Sequence, residues 1–221
     1  MFSTRGAVAA ALLALCVTAP AAVAHEGNPN YRSEVRRIAP TVPGLHAHVL
    51  NFDDRIELVY DGDRELVVEG YRGEPYLRFS PGGRVEVNRR SPAAYLNEDR
   101  FAQAEVPARA DHGAPPRWRT VAQNGRYDWH DHRIHWMGEG TLPPQVEDDS
   151  KPAKVFDWAI PVAAAGRPAT VRGTLTWLGS DGGGLPVAAV VALAAVALAG
   201  TALVVLVRRR RSGPRREREA W

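Results

Sequence analysis

The sequence predicts a mainly β protein: a single immunoglobulin-like β-sandwich ectodomain followed by one C-terminal transmembrane helix. Between the two ends of the chain, short runs rich in β-branched and aromatic residues alternate with Gly, Pro, Asp and Ser turns. No window there sustains an apolar period of 3.6 residues, and prolines recur from position 40 to position 168, which disfavours long helices. Residues 185–207, in contrast, form one uncharged apolar run.

The N-terminal segment, residues 1–24, has the pattern of a secretory signal peptide. Arg5 precedes a run of small and aliphatic residues, and small residues end the segment at Ala24. Cleavage after Ala24 makes His25 the first residue of the mature chain. It also removes Cys16, the single cysteine, so the mature domain has no disulfide and depends on buried side chains for its stability.

Residues 25–179 form the predicted extracytoplasmic β-sandwich domain. Alternating apolar residues predict strands, and turn sequences such as Asp61-Gly-Asp63 and Ser80-Pro-Gly-Gly83 join them. The segments with this pattern are 55–60, 65–69, 76–79, 84–87, 154–160 and 170–177. Seven or eight short strands in all would suit an immunoglobulin-like sandwich. Four tryptophans also fall in predicted strands: Trp129, Trp136, Trp158 and Trp177. We expect Trp158 and Trp177 to fill the core.

The C-terminal part of the chain has three predicted segments. Residues 180–184 are a Gly-rich linker, and residues 185–207 are a transmembrane helix that reaches roughly 34 Å at about 1.5 Å per residue. Residues 208–221 form an arginine-rich tail, which begins with the arginines from Arg208 to Arg211. By the positive-inside rule the tail is cytoplasmic, so we expect a single-pass protein of the cell membrane with its N-terminal domain outside. The arginines would then face anionic lipid headgroups of the plasma membrane.

Charge is distributed unevenly along the chain. The formal net charge is +3 and the isoelectric point is about 9.3, values that by themselves suggest a nucleic-acid-binding protein. Without residues 208–221 and Arg5, however, the chain has 20 basic and 23 acidic residues. We therefore expect no nucleic acid as a partner. The sequence contains no nucleophile elbow, zinc-protease helix or phosphate loop, so we do not expect an enzyme.

The most unusual segment is YDWHDHRIHWM, residues 127–137, which holds three of the seven histidines. On a regular strand His130 and His132 share one face, and His135 lies on the other. On a helix His132 and His135 share a face without His130. A strand that bulges or ends near Arg133 would gather the three imidazole rings.

Convergence of these rings would create a transition-metal site. Neutral imidazole binds copper, zinc and nickel, and we expect copper, or else zinc, as a cofactor held by His130, His132 and His135. A mature N-terminus at His25 would add its amine and a ring nitrogen to the same ion, and Met137 offers a soft sulfur. Because nitrogen ligands lie about 2.0–2.1 Å from the metal, donor nitrogens within about 4–5 Å of one another would indicate such a site.

The alternative is a metal-free envelope interaction module, which presents a surface to an envelope protein partner. The histidines are then structural, hydrogen-bonded side chains, and Arg133 pairs with Asp131 or Asp128. The same-face pair His46-x-His48 is expected to be exposed without a ligand, and Asp53-Asp54 is interpreted as a solvated acidic loop. Dispersed histidines and an exposed apolar patch would favour this alternative.

Four motifs together resemble a known family. They are HEGNPNYRSE from His25, GYRGEPY from Gly70, SP from Ser91 with YLNEDR from Tyr95, and WHDHRIHWM from Trp129. In these motifs the chain resembles an uncharacterised family of exported, membrane-anchored proteins from high-GC Gram-positive bacteria, over nearly the whole ectodomain. The resemblance implies a signal peptide, a β-rich ectodomain and a C-terminal anchor. It implies no established activity, and the His46-x-His48 pair is not part of the family pattern.

Overall fold

The computed structural model describes residues 27–180 and 187–211. The chain divides into two compact units after Gly179. Outside the described residues lie the predicted signal peptide 1–24, His25, linker positions 181–184 and tail positions 212–221.

Ten strands and one short helix make up the described part of the first unit. In chain order they are β1 Tyr31–Ala39, β2 Leu45–Leu50, β3 Arg55–Tyr60, β4 Leu66–Glu69, β5 Pro75–Phe79, β6 Val85–Asn88, α1 Ala93–Leu96, β7 Trp118–Ala122, β8 Arg126–Trp129, β9 Ala153–Ala164 and β10 Arg167–Trp177. The strands form two antiparallel sheets, one of seven strands in the order β1-β10-β9-β4-β5-β6-β7 and one of three in the order β2-β3-β8. The predicted mainly β fold is confirmed. Its division into seven and three strands differs from the four and three of an immunoglobulin constant domain.

The two sheets share one core because their strands alternate apolar and polar side chains. In β3 every second side chain up to Tyr60 is buried, and the residues between them are partly exposed. Edge-to-face ring contacts join the two layers, between Tyr60 and Phe79 at 6.4 Å and between Trp129 and Tyr76 at 5.9 Å. The small sheet therefore covers the middle strands of the large one with its apolar face.

The tryptophans show where the strand prediction holds and where it does not. Trp158 and Trp177 lie in the core as predicted, with 5% and 3% of their surfaces exposed. The indole of Trp158 packs directly over Gly173 of the neighbouring strand. The prediction for Trp136 is wrong, because β8 ends at Trp129 and Trp136 lies in the loop that follows.

Two long connections carry most of the polar residues that are candidates for function. Residues 89–117, which include α1, join β6 to β7, and residues 130–152 join β8 to β9. Binding residues concentrate in such loops when a rigid sheet positions them. The second connection contains most of the histidine-rich segment.

The second unit contains the helix α2, Val187–Arg211. Within it, Val191–Arg209 is long and apolar enough to cross a membrane, and no part of this stretch is buried inside the protein. The predicted C-terminal apolar helix is confirmed. It covers most of the predicted span of 185–207 and continues to Arg211.

Candidate functional site

The histidine segment, residues 127–137, leaves the small sheet after Trp129. Trp129 pairs with β3 and is 1% exposed, so the end of the strand is fixed in the core. Its Nε1 donates to Asp131 Oδ2 at 2.8 Å, and Ile134 N donates to Asp131 O at 3.0 Å, which closes a turn. The segment is therefore a strand end followed by a turn, and not a regular strand or helix.

A buried ion pair holds this turn. Both carboxylate oxygens of Asp131 accept hydrogen bonds from Arg133, Oδ1 from Nε at 2.7 Å and Oδ2 from Nη2 at 2.7 Å. Burial alone would raise the pKa of Asp131, but the charge and hydrogen bonds of Arg133, together with Trp129, hold that pKa below its usual value. Of the two partners predicted for Arg133, the structure has Asp131, whereas Asp128 pairs with Arg55.

Tyr71 connects this ion pair to His132. The guanidinium of Arg133 lies 5.0 Å from the centre of the Tyr71 ring, and His132 stacks on the same ring at 5.5 Å. The Tyr71 hydroxyl donates to Asn97 Oδ1 and accepts from the backbone N–H of His132 at 3.0 Å. His132 Nε2 in turn donates to the carbonyl of Asp99 at 3.0 Å. The imidazole thus ties the histidine segment to the β6–β7 connection.

His130 belongs to a second buried cluster. Its Nδ1 lies 3.1 Å from both the carbonyl oxygen and Oδ1 of Asp54. Arg100 bridges the acidic pair, with Nη2 at 2.7 Å from Asp53 Oδ2 and Nη1 at 3.2 Å from Asp54 Oδ1. Burial raises the pKa of Asp53, and Arg100 offsets only part of this rise. Burial also acts to raise the pKa of Asp54, but hydrogen bonds and charges from His130 and Arg100 outweigh it and lower the pKa.

The interpretation of Asp53-Asp54 as a solvated loop is therefore wrong. The two residues are 0% and 1% exposed. Asp53 also accepts the backbone N–H of Asn28 on Oδ1 at 3.1 Å, so this loop secures the start of the described chain. The partly buried Arg100 lies beside both carboxylates and compensates for their removal from water.

His135 is the most enclosed histidine of the segment, with 1% of its surface exposed. Its ring meets Phe101 at 6.2 Å and His132 at 5.7 Å, both edge to face. Nδ1 donates to the carbonyl of Trp136 at 3.1 Å, which leaves the lone pair on Nε2, and Nε2 makes no hydrogen bond within the described chain. Burial, and next the charge of Arg100, lower the pKa of His135 to about 4, so the ring is neutral near pH 7.

The three predicted metal ligands that the structure describes do not meet at one site. The structure brings the rings of His132 and His135 into contact, but it places His130 against Asp54 of the β2–β3 loop. His25 lies outside the described residues. Among the residues that the structure describes, no group of three or more His, Cys, Asp and Glu side chains is arranged to hold a metal ion. The convergence of three imidazoles, on which the sequence-based copper hypothesis depends, is not found there.

The remaining described histidines and Met137 lie at the surface. His46 and His48 of β2 are exposed, as expected for a pair without a ligand, and Met137 is 38% exposed. His112 is exposed in the β6–β7 connection. None of these side chains joins the buried network described above.

Sequence reasoning missed most members of this network, among them Asp54, Tyr71, Asp99 and Arg100. Each is brought to the histidine segment by the tertiary fold from more than 30 positions away, as in the 76-residue separation of Asp54 from His130. The one local signal is the spacing of Asp131 and Arg133, which places a carboxylate and a guanidinium in the same turn.

Comparisons with known proteins found no match: no protein-family model, no curated protein and no solved structure is similar to this chain.

Proposed function

We propose that this chain is a single-pass, membrane-anchored surface protein whose β-sandwich domain acts outside the cell as an interaction module. A β domain followed by one apolar helix fits a membrane-anchored surface protein. The arginines that follow the apolar stretch support a cytoplasmic C-terminus, because positive charge is retained on the cytoplasmic side.

The main evidence that the histidine segment has a structural role is that its imidazoles are hydrogen-bonded to other loops. His130 is bound to Asp54 of the β2–β3 loop and His132 to Asp99 of the β6–β7 connection. The same segment contains the buried Asp131–Arg133 pair. Since these contacts join three separate loops at one end of β8, the segment acts as the framework that fixes a loop surface, which is the part of a sandwich that binds partners.

Membrane topology can be tested by labelling single introduced cysteines. Cys16 is the one native cysteine of the sequence, and the Cys16→Ser substitution removes it from the background. We expect Gln123→Cys, at an exposed turn of the domain, to react with a membrane-impermeant maleimide in intact cells. Ser212→Cys, in the tail, should react with the same maleimide only after the membrane has been permeabilised. The opposite labelling pattern would contradict an external domain.

A copper or zinc site is the second candidate function, favoured by one observation. His132 and His135 each donate one ring N–H to a backbone carbonyl, which is how metal-binding histidines are oriented in many proteins. The lone pair of His135 Nε2 is buried and makes no hydrogen bond in the described chain. A mature N-terminus at His25 would supply two more nitrogens. The charge of Arg100 acts against this candidate, because it disfavours a cation near His135.

Titration of Cu(II) and Zn(II) into the purified full-length protein separates the two candidates. The interaction module predicts no stoichiometric binding that depends on His132 and His135; any weak binding should disappear in a His46→Gln, His48→Gln control, whose substituted histidines are exposed in the wild type. Stoichiometric binding that persists in this control and is lost in a His132→Gln, His135→Gln variant would instead establish the metal site.

A further inference from the structure

The β6–β7 connection and strand β7 border a cleft of about 610 Å³ that is lined mainly by arginines. Its charged side chains are Arg89, Arg90, Arg109, Arg117, Arg119 and Asp111. Asp111 is the one acidic residue among the described residues that line the cleft, so the lining has a strong excess of positive charge. This is notable because the chain outside the signal peptide and tail has more acidic than basic residues.

The cleft arginines are not neutralised as other arginines of the domain are. Arg78, Arg100 and Arg133 each lie within 2.7 Å of a buried carboxylate. In the described chain, by contrast, no carboxylate lies within 4.0 Å of the guanidinium of Arg90 or Arg117, and the same is true of Arg109 and Arg119. The nearest carboxylate to Arg89 is that of the exposed Glu98, at 4.0 Å.

The backbone that carries these arginines is held rigidly. Asn88 is 2% exposed, and its Oδ1 accepts the backbone N–H of Arg90 at 3.0 Å and of Arg117 at 2.8 Å. The backbone N–H of Arg89 donates to Arg117 O at 2.8 Å. One buried amide therefore fixes both walls of the cleft relative to each other.

An aromatic ring supports two of the side chains without removing their charge. Tyr95 is 4% exposed, and its ring lies 4.7 Å from the guanidinium carbon of Arg89 and 5.6 Å from that of Arg109. A cation held over an aromatic face keeps its positive charge and its N–H donors. The cleft thus combines a fixed backbone, two guanidiniums held against the Tyr95 ring, and the guanidinium donors of the exposed Arg90, Arg117 and Arg119.

We propose that this arginine cleft binds an oxyanionic ligand that carries two or more phosphate or carboxylate groups. The guanidinium fork matches both groups in geometry, with two parallel N–H donors for two oxygens. A single small anion would leave most of the positive charge uncompensated, whereas a volume of about 610 Å³ accommodates a ligand of many atoms. Binding of such a ligand would be the specific activity of the interaction module. The placement of the cleft outside the cell rests on the proposed function.

The test is calorimetric titration of the full-length protein, in an uncharged detergent at low salt, with tripolyphosphate, citrate and orthophosphate. We expect saturable binding of tripolyphosphate or citrate, and the tighter of the two identifies the anionic group. In an Arg90→Gln, Arg117→Gln variant the affinity should fall by about tenfold or more, because charged hydrogen bonds are lost. Arg119→Gln alone serves the same purpose if the double variant does not fold.

The matched control removes the same charge from the opposite edge of the same sheet. Arg37 and Arg172 are exposed cross-strand neighbours on β1 and β10, and Arg37→Gln, Arg172→Gln should leave the affinity nearly unchanged. Equal losses in the two double variants, no saturable binding of either polyanion, or orthophosphate binding as tight as that of tripolyphosphate would each overturn the proposal. Because purified protein is used, these results do not depend on membrane topology, which the cysteine labelling tests separately.

Discussion

Asp131 and Arg133 form an ion pair in which the carboxylate side chain is 0% exposed and the guanidinium side chain is 19% exposed. Asp131→Asn keeps the shape of the side chain but leaves the largely buried Arg133 without a counter-charge. We expect the free energy of unfolding to fall by about 3–5 kcal/mol, the usual result when one partner of a buried pair is removed. Urea denaturation measures this loss.

An exposed pair supplies the control for this prediction. Lys154 and Asp157 form an ion pair with side chains that are 60% and 64% exposed. Asp157→Asn should leave the urea midpoint nearly unchanged, because solvent screens an exposed pair. If Asp131→Asn were as mild as the control, the Asp131–Arg133 pair would not hold the turn of the histidine segment.

His135 should make the stability of the domain depend on pH in a defined window. Its pKa is 6.5 in the unfolded chain and about 4 in the folded domain, so between these values the unfolded chain binds the extra proton. Stability therefore falls as pH decreases from about 6.5 to about 4, by on the order of 3 kcal/mol at the lower end. Urea midpoints of the wild type and of His135→Gln at pH 7 and pH 4.5 measure this contribution.

The groups around His135 help to separate this effect from others. Arg100 and His132 oppose its protonation, and Asp131 favours it, although burial is the largest influence on its pKa. Asp54 and Asp131 have lowered pKa values, so they lose their stabilising charge below about pH 4 and not in the histidine window. An identical pH dependence in His135→Gln would contradict the assignment to His135.

Among the structural elements, the β9–β10 pair depends on a glycine. A Cβ at Gly173 would overlap the indole of Trp158 and the carbonyl oxygen of Glu34, which belong to the two flanking strands. Gly173→Ala should therefore destabilise the domain by about 1–3 kcal/mol, as overpacking does in other cores. Gly113→Ala is the matched control, since its nearest neighbour, Asp111 Oδ1, would lie 3.5 Å from the new Cβ. Thermal unfolding of the two variants would contradict the prediction if their midpoints were equal.

The strands that sequence predicts well are those with uninterrupted alternation. Predicted strand 55–60 coincides with β3, and predicted strands 154–160 and 170–177 lie within β9 and β10. β1 shows no such pattern, because the register shifts between Val35 and Arg37 and interrupts the alternation. Local periodicity therefore identifies strands whose alternation is long enough, and β9 and β10 are among them although their register shifts between Leu175 and Thr176.

The histidine segment shows the same division between local and tertiary information. Its sequence indicates the Asp131–Arg133 turn, because both partners lie two positions apart. It does not indicate that His130 meets Asp54 or that Arg100 neutralises Asp53, since these contacts depend on how the β2–β3 loop and the β6–β7 connection fold back. The spacing of the three histidines indicates a metal site, whereas the hydrogen-bond partners of His130 and His132 lie far away along the chain.

At the scale of the whole molecule, the β domain and α2 are separate compact units. The core cluster of the domain is composed of described residues between Tyr31 and Trp177. Membrane attachment and domain stability should therefore depend on different parts of the chain. Deletion of residues 181–221 tests both properties at once.

We expect the variant that ends at Ser180 to be lost from the membrane fraction and to unfold at the same temperature as the full-length protein in the same detergent. A variant that lacks only residues 212–221 should stay in the membrane, because it keeps the apolar stretch Val191–Arg209. Cell fractionation and thermal denaturation measure the two properties. Release of the shorter-tail variant would assign attachment to the tail. A decrease of more than about 4 °C in the unfolding midpoint of the Ser180 variant would mean that residues 181–221 contribute roughly 1 kcal/mol or more to the stability of the domain. That result would contradict the expectation that attachment and stability depend on different parts of the chain.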